Sequence, residues 1–401
     1  MKFLGYPGAA VIGGLLEHQD SVAMLDRRNF LALAATVGLA ARAKSGTTAQ
    51  PRARRPAAGF TVINSMGGFD DPNRPQDGPF AANARVIDDA LGSGLIAMVI
   101  TATGVVQETN MSYFDQAVRD IKRWDAIIAS HADKLIKVGT FADIERARTV
   151  GKLGVIYDFQ NGAAVGEEAE HVDVFANLGL RVLQLTYNGA NQLGCGALVP
   201  TDTGLTPLGR AVIERANANN VMVDLSHSGR QTCLDTVRHS TRPVSVNHTG
   251  CSALVPSPRS KTDEELRLVA EKGGYVGIYT MPYLASGRQI TGDDVVLHIE
   301  HALRVCGEDH VGIGTDNAIS RIDDMTGYMR DYAKIVTERR SQGVSAPGED
   351  PAIPRFAADL DGPDQFRVIA QKLSQRGHRR ATIEKIMSGN FSRFARLAWA
   401  A

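Results

Sequence analysis

The sequence predicts an α/β fold of the (β/α)8 TIM-barrel type. Three observations carry this. From Phe60 onward, short apolar runs alternate with helix-like segments, as in a parallel sheet whose strands are buried on both faces. Eight such runs are enough to close a barrel. Three of them end in chemistry-bearing side chains: MVDLSHSG (222–229) delivers His227, VSVNHTG (244–250) delivers His248, and VGIGTDN (311–317) delivers Asp316. In a barrel of this kind, residues at the C-terminal ends of the strands converge on one mouth.

In order, the strand-like runs are FTVINSM (60–66), LIAMVITAT (95–103), LGVIYDFQ (153–160), VLQLTY (182–187), VMVDLSH (221–227), PVSVNH (243–248), YVGIYT (275–280) and VGIGTD (311–316). KLIKVGT (134–140) reads as a ninth, peripheral strand, because the other eight already close the barrel. Helix patterns lie between them at Tyr113–His131, Gly166–Asn177, Pro207–Asn217, Thr262–Lys272 and Asp293–Cys306, several opening on a Thr or Asp cap. The polar segment Ile322–Phe356 reads as a long barrel loop, followed by helices at Asp364–Arg376 and Arg380–Leu397. A doubly wound open sheet shares the alternation, but no glycine-rich phosphate fingerprint follows the first strand.

The chain has 401 residues, 43% hydrophobic and 22% charged, enough for a sizeable core. Lys+Arg and Asp+Glu balance at 44 each, so nothing points to nucleic acid or an anionic membrane as partner. No apolar stretch follows the last helix to anchor the C-terminus, and a homodimer is left open. Cys195, Cys233, Cys251 and Cys306 form no CxxC motif, and their spacing leaves free thiols and disulfides equally open.

The N-terminus reads as a targeting segment. Asp26-Arg27-Arg28-Asn29-Phe30-Leu31 opens an apolar run to Ala41, and Ala41-Arg42-Ala43 resembles a small-residue cleavage site. This is the layout of a twin-arginine export signal over residues 1–43, too short in its apolar part to span a bilayer. Met24 is a candidate start, which makes 1–23 an upstream extension of the reading frame. Residues 44–58 read as a disordered linker and 59–401 as one barrel domain. The expected location is the periplasm or the medium.

Two neutral imidazoles and a carboxylate, His227, His248 and Asp316, make a first shell for zinc or a similar divalent ion, with a position left for water. Two other histidines are set aside. His171-Val172-Asp173 falls inside a helix, where i and i+2 diverge, and His310 precedes its strand; both read as surface residues.

The run from Gly151 to Asp316 resembles the membrane (renal) dipeptidase family, a metallopeptidase branch of the amidohydrolase-type barrels. The likeness rests on NLGLRVLQLTYNGANQLG (177–194), GLTPLGRAVIERAN (204–217), VMVDLSH, VNHTGCSAL and DHVGIGTD in the family's order, with KIMSGNFSRFAR (385–396) similar to its C-terminal helix. The resemblance implies a metal-dependent hydrolase barrel in which His227 and His248 bind one zinc. Asp316 handles the proton of the attacking water, and Arg259, in VPSPRSKTDEE, holds the substrate carboxylate.

The departures from the family are as specific as the likeness. Its first strand ends in a His-x-Asp pair, where this chain has Met66 and Gly68; its bridging glutamate becomes Gln160, and a pocket histidine becomes Tyr187. Three carboxylates for two cations are reduced to one, Asp316, which disfavours a two-metal centre because an unneutralised charge in a dry pocket is costly. Asp70 or Asp71, beyond the strand end, is a candidate replacement, and Cys233 and Cys251 are candidate soft ligands that read better as core residues. The expectation is an exported dipeptidase-like metallohydrolase acting on a small peptide-like substrate, a dipeptide or related amide. Its site is atypical, with at most one metal and room for none: His227, His248 and Asp316 as ligands with Gln160 as a further candidate, Asp316 as base, and Arg259 and Tyr187 binding substrate. The alternatives are a non-hydrolytic tailoring enzyme for a peptide natural product and a ligand-binding pseudoenzyme.

Overall fold

The computed structural model describes residues 59–74 and 82–400. The export segment and linker expected over 1–58 lie outside the described residues. Nine strands form one parallel sheet: β1 (Val62–Gly67), β2 (Leu95–Thr101), β3 (Leu135–Lys137), β4 (Leu153–Phe159), β5 (Leu180–Gln184), β6 (Met222–Asp224), β7 (Ser245–Thr249), β8 (Tyr275–Ile278) and β9 (Val311–Ile313). Their order is β1-β2-β4-β5-β6-β7-β8-β9, with β3 paired to β4 off this path. The peripheral reading of KLIKVGT therefore holds. β1 and β9 meet through a parallel bridge between Gly68 and Ala318, and Asp316 N–H donates to Met66 O at 2.9 Å. Eight strands thus form a nearly closed (β/α)8 barrel.

Helices follow the strands as the periodicity predicts, and their starts are capped by the expected chemistry. Ser112 accepts from Asp115 N–H ahead of Tyr113–Ser130, Thr206 from Gly209 N–H ahead of Pro207–Ala218, and Thr262 forms a capping box with Glu265 ahead of Asp263–Glu271. Three expectations need correction. The helix expected from Gly166 begins only at His171, because Gly166 sits at φ 73° after a short 3-10 turn, Gly162–Val165. The segment read as loop carries a 17-residue helix, Met325–Ser341. Its buried residues are Gly327, Tyr332 and Val336, too thin a stripe for hydrophobic periodicity to reveal. The last helix is broken into Arg380–Glu384, a π turn at Lys385–Gly389, and Asn390–Ala398. There Asn390 Nδ2 donates to Glu308 O and Val311 O at 2.8 and 2.7 Å, which ties the π turn to the base of β9.

The floor of the barrel is apolar. Ile63, Ala97, Val99, Ile156, Val182, Met222 and Tyr275 pack inside it, and Phe391, Phe394 and Trp399 of the C-terminal helix close it from below. Phe391 meets Tyr275 edge-on, with ring centroids 5.3 Å apart. Polar side chains follow toward the mouth: Asp158, Gln184, Asp224 and Asn247, all buried. Asp224 accepts from Ser226 Oγ at 2.8 Å and from Asn247 N–H at 2.7 Å, and burial still pushes its pKa up to about 6. Asp158 has no such donor, and burial beside the Asp224 carboxylate raises its pKa well above the usual range. All four cysteines are free and buried, so Cys233 and Cys251 are core thiols.

Because Phe391 fills the barrel floor at 1% exposure, Phe391→Ala is expected to cost about 3–5 kcal/mol of stability. Urea unfolding monitored by far-UV circular dichroism checks this.

Candidate active site

The strand ends are locked to one another by backbone and side-chain bonds. Ser226, one turn past β6, donates its hydroxyl to Asp224 and accepts from His248 N–H at 3.0 Å. That linkage sets β7 against β6 and brings the two imidazoles face to edge, with Nε2 of His227 3.0 Å from Nε2 of His248. His227 Nδ1 lies 2.7 Å from Asn188 Oδ1. An amide oxygen only accepts, so Nδ1 of His227 carries the hydrogen and its Nε2 accepts from Nε2–H of His248. Nδ1 of His248 is then bare, and no described residue bonds to it. Tyr187 stacks on His227 with centroids 4.2 Å apart and planes 19° from parallel.

The surroundings are cationic. Burial holds His227 well below the ordinary imidazole pKa, helped by the charges of Arg259, Arg339 and Lys261. Burial likewise lowers His248 to about 4, with Asp316 opposing and Arg259, Arg355 and Lys261 reinforcing. Both rings are therefore neutral across the physiological range.

The other residues singled out in the sequence divide between a buried layer and an open cavity. Arg259 is 2% exposed, and one of its guanidinium nitrogens donates to Ser226 O. Tyr187 is buried, its hydroxyl 3.3 Å from Arg339 Nη2. Asp316 and Gln160 line a cavity of about 500 Å3 together with Met66, Gly68, Asp70 and Arg355. Asp316 takes φ 54°, rare for a residue with a side chain, and Arg355 Nη2 donates to its carbonyl at 3.1 Å while lying 3.9 Å from its carboxylate. His227, His248 and Arg259 are not part of the cavity wall. The segment from Met325 to Arg355 closes over them: Asn188 Nδ2 donates to Val344 O at 2.8 Å and Tyr283 hydroxyl to Glu349 at 3.1 Å.

His171 and His310, set aside as surface residues, are half-buried and structural. Their Nδ1 atoms lie 2.7 Å from Val165 O and 2.9 Å from Gly274 O. Asp71 binds Asn83 and Asn73, away from the imidazoles. Sequence reasoning missed Asn188, Lys261, Arg339 and Arg355. Only the first two carried a signal, since they neighbour motif residues; the arginines come from the segment read as loop.

A metal site can be tested against these donors. Two neutral imidazole nitrogens converge, but among the described residues no group of three or more His, Cys, Asp or Glu side chains is placed to hold an ion. A ligating histidine ordinarily donates its second N–H to an oxygen. His227 has Asn188 for this and His248 has nothing. Four cationic side chains bear on the pair. The residues present do not fit a two-metal centre.

The family model described as membrane dipeptidase (peptidase family M19) matches residues 81–348. The chain belongs to this family. It is thus a dipeptidase-like, metallopeptidase-related hydrolase by descent. A protein of Klebsiella pneumoniae, described as an uncharacterized protein in the pqqA 5′ region, is 30% identical over 228 residues, covering 54% of this chain and 84% of that protein. Dipeptidase tcpJ of Claviceps purpurea (strain 20.1) is 25% identical over 228 residues, 55% of this chain and 53% of that protein, so the match spans about half of its length. Among solved structures, an amidohydrolase from Pseudomonas aeruginosa superposes with TM-score 0.74 at 28% identity, covering 86% of this chain and 98% of that one. A metallo peptidase from Rhodobacter sphaeroides, liganded with a phosphinate mimic of L-Ala-D-Ala, shares the fold at TM-score 0.66 and 17% identity, covering 85% and 99%. Members of the family depend on zinc.

Lowered imidazole pKa values make a pH prediction. In the unfolded chain both histidines take up protons near pH 6.5; in the fold they resist until about pH 4 for His248. Their contribution to stability is therefore complete above pH 6.5 and lost as pH falls toward 4. Imidazole NMR should show neither ring titrating between pH 8 and 5.5, and a midpoint near 6.5 for either would contradict the buried pair.

Proposed function

We propose that this member of the dipeptidase family takes a dipeptide or related amide with a free carboxylate into the barrel mouth and holds at most one divalent ion. The observation that carries the reading is the imidazole pair, Nε2 to Nε2 at 3.0 Å, with no third protein ligand beside it among the described residues. A single ion between those nitrogens would lower the pKa of a bound water toward neutrality. The chain's own residues supply the rest. Arg259, buried and bearing by its charge on both imidazoles, carries a planar guanidinium of the kind that suits a carboxylate. Asp316 is the carboxylate on the cavity wall positioned to accept a proton. Tyr187 stacks on His227 and, with Arg339, closes the side where the family has a histidine.

A second reading, a ligand-binding descendant without hydrolysis, is favoured by one observation: the unpartnered Nδ1 of His248, which leaves one imidazole without the outer support a metal ligand normally has. We also propose that the protein is exported through a twin-arginine signal and acts in the periplasm or outside the cell.

Elemental analysis of protein purified without added metal separates the readings. Zero or one divalent ion per chain is expected, and an ion that is present should be lost in His248→Ala. Two per chain would overturn the proposal. In calorimetry, Arg259→Lys should weaken a dipeptide by about tenfold or more, because a point charge replaces the bidentate fork; unchanged affinity would remove the clamp. N-terminal sequencing of exported protein should begin beyond Arg28, and retention of Arg27 and Arg28 would rule out the export signal.

A further inference from the structure

One cavity wall holds a carboxylate that the strand pattern does not place there. At the end of β1, Gly68 stands where the family resemblance expects an acid. A Cβ built on Gly68 would lie 2.6 Å from Asp70 Oδ2, so the Asp70 carboxylate folds back into the volume a side chain at 68 would fill. Asp70 and Asp316 line the same cavity, with Arg355 bearing on both. The Asp70 and Asp316 carboxylates both feel the Arg355 guanidinium, and Asp316 lies 3.9 Å from it. Nearby Arg119 is held by Glu108 at 2.6 Å and Asp120 at 2.8 Å. The Asp70 side chain is open to the cavity, yet the protein mass around it and the Asp316 charge raise its pKa, with Arg355 opposing.

A second, independent feature points into the same space. Gln160 is 7% exposed and lines the cavity, and its side-chain amide makes no hydrogen bond to a described residue, although its backbone carbonyl accepts from Gln184. A buried amide without a partner is costly unless a ligand satisfies it. The wall therefore offers a pair of carboxylates beside an unengaged amide, with no imidazole or thiol to make it a transition-metal site.

We infer that Asp70 and Asp316 form a recognition site for the ammonium group of the ligand, occupying the side of the mouth where the resemblance places a first metal ion, with Gln160 bonding the adjoining amide. This rests on the ligand reading above and adds which end of the ligand lies where. The ammonium donates to the Asp70 and Asp316 carboxylates, and Arg355 holds Asp316 in place. Charge-assisted bonds of this kind discriminate a free amine from an acylated one, because acylation removes the charge and leaves the carboxylates unpaired.

Calorimetry with alanyl-alanine, its N-acetyl derivative and its C-terminal amide tests the inference on the full-length mature protein. Wild type should bind the free dipeptide at least about tenfold more tightly than the N-acetyl form. Asp70→Asn, a change at an exposed side chain, should lose that preference by binding the free dipeptide more weakly than wild type does. Equal affinity of wild type for the free and N-acetyl forms, with the C-terminal amide still discriminated, would overturn this inference and leave the carboxylate-binding reading intact. Failure of every one of these compounds to bind would overturn that reading and this one together. A divalent ion that is bound by wild type and lost in Asp70→Asn would assign Asp70 to a metal instead, and would also overturn the inference.

Discussion

The contact between Nε2 of His227 and Nε2 of His248 constrains everything around the mouth. Two imidazoles can share a hydrogen at 3.0 Å only if at least one of the two nitrogens is bare, so the pair cannot be doubly protonated. Neutrality is enforced by burial and by the cationic side chains bearing on the pair. The same cations make the pocket a poor host for two divalent ions and a good one for an anionic group. The backbone beneath is equally committed. Asp224 holds Ser226, Ser226 holds the His248 backbone, and Arg259 reaches Ser226 O from the other side. Shifting either strand end by one residue would turn its imidazole away from the other.

The site is thus divided. A dry layer contains the histidines, Arg259 and Tyr187, sealed by the segment that follows β9. An open cavity beside it contains the acids, Gln160 and Arg355. In the family resemblance these are parts of one metal centre. Here the residues at 66, 68 and 160 are Met, Gly and Gln, and the buried layer and the open cavity are separate. The polar interior below the mouth holds Asp158 and Asp224, and burial of both raises their pKa values, which favours the protonated form of Asp158 beneath the positive layer.

Much of this was legible in the chain. Apolar runs of six to nine residues separated by capped helices pointed to a parallel barrel, because strands covered on both faces lose their alternation. The ends of those runs placed His227, His248 and Asp316 at one mouth, since strand direction determines where a terminal side chain points. What stayed hidden has physical reasons. The helix at Met325–Ser341 buries too few residues to leave a periodic signal. Arg339 and Arg355, which complete the site, lie on or after it, and the distance from there to Tyr187 or Asp316 is set by packing rather than by sequence spacing.

The sequence by itself determined the fold, the family and the identity of the side chains delivered by each strand, because strand polarity and burial are local properties of the chain. Only the tertiary structure decided how those side chains combine. It set the imidazoles Nε2 to Nε2 with their planes tilted by 60°, folded the Asp70 carboxylate into the space beside Gly68, and closed the segment after β9 over the histidines while leaving the acids exposed to a cavity. Those relations join residues far apart in the chain, as Arg355 acts on Asp70, and they are fixed by barrel closure and loop packing, on which neighbouring residues carry no information.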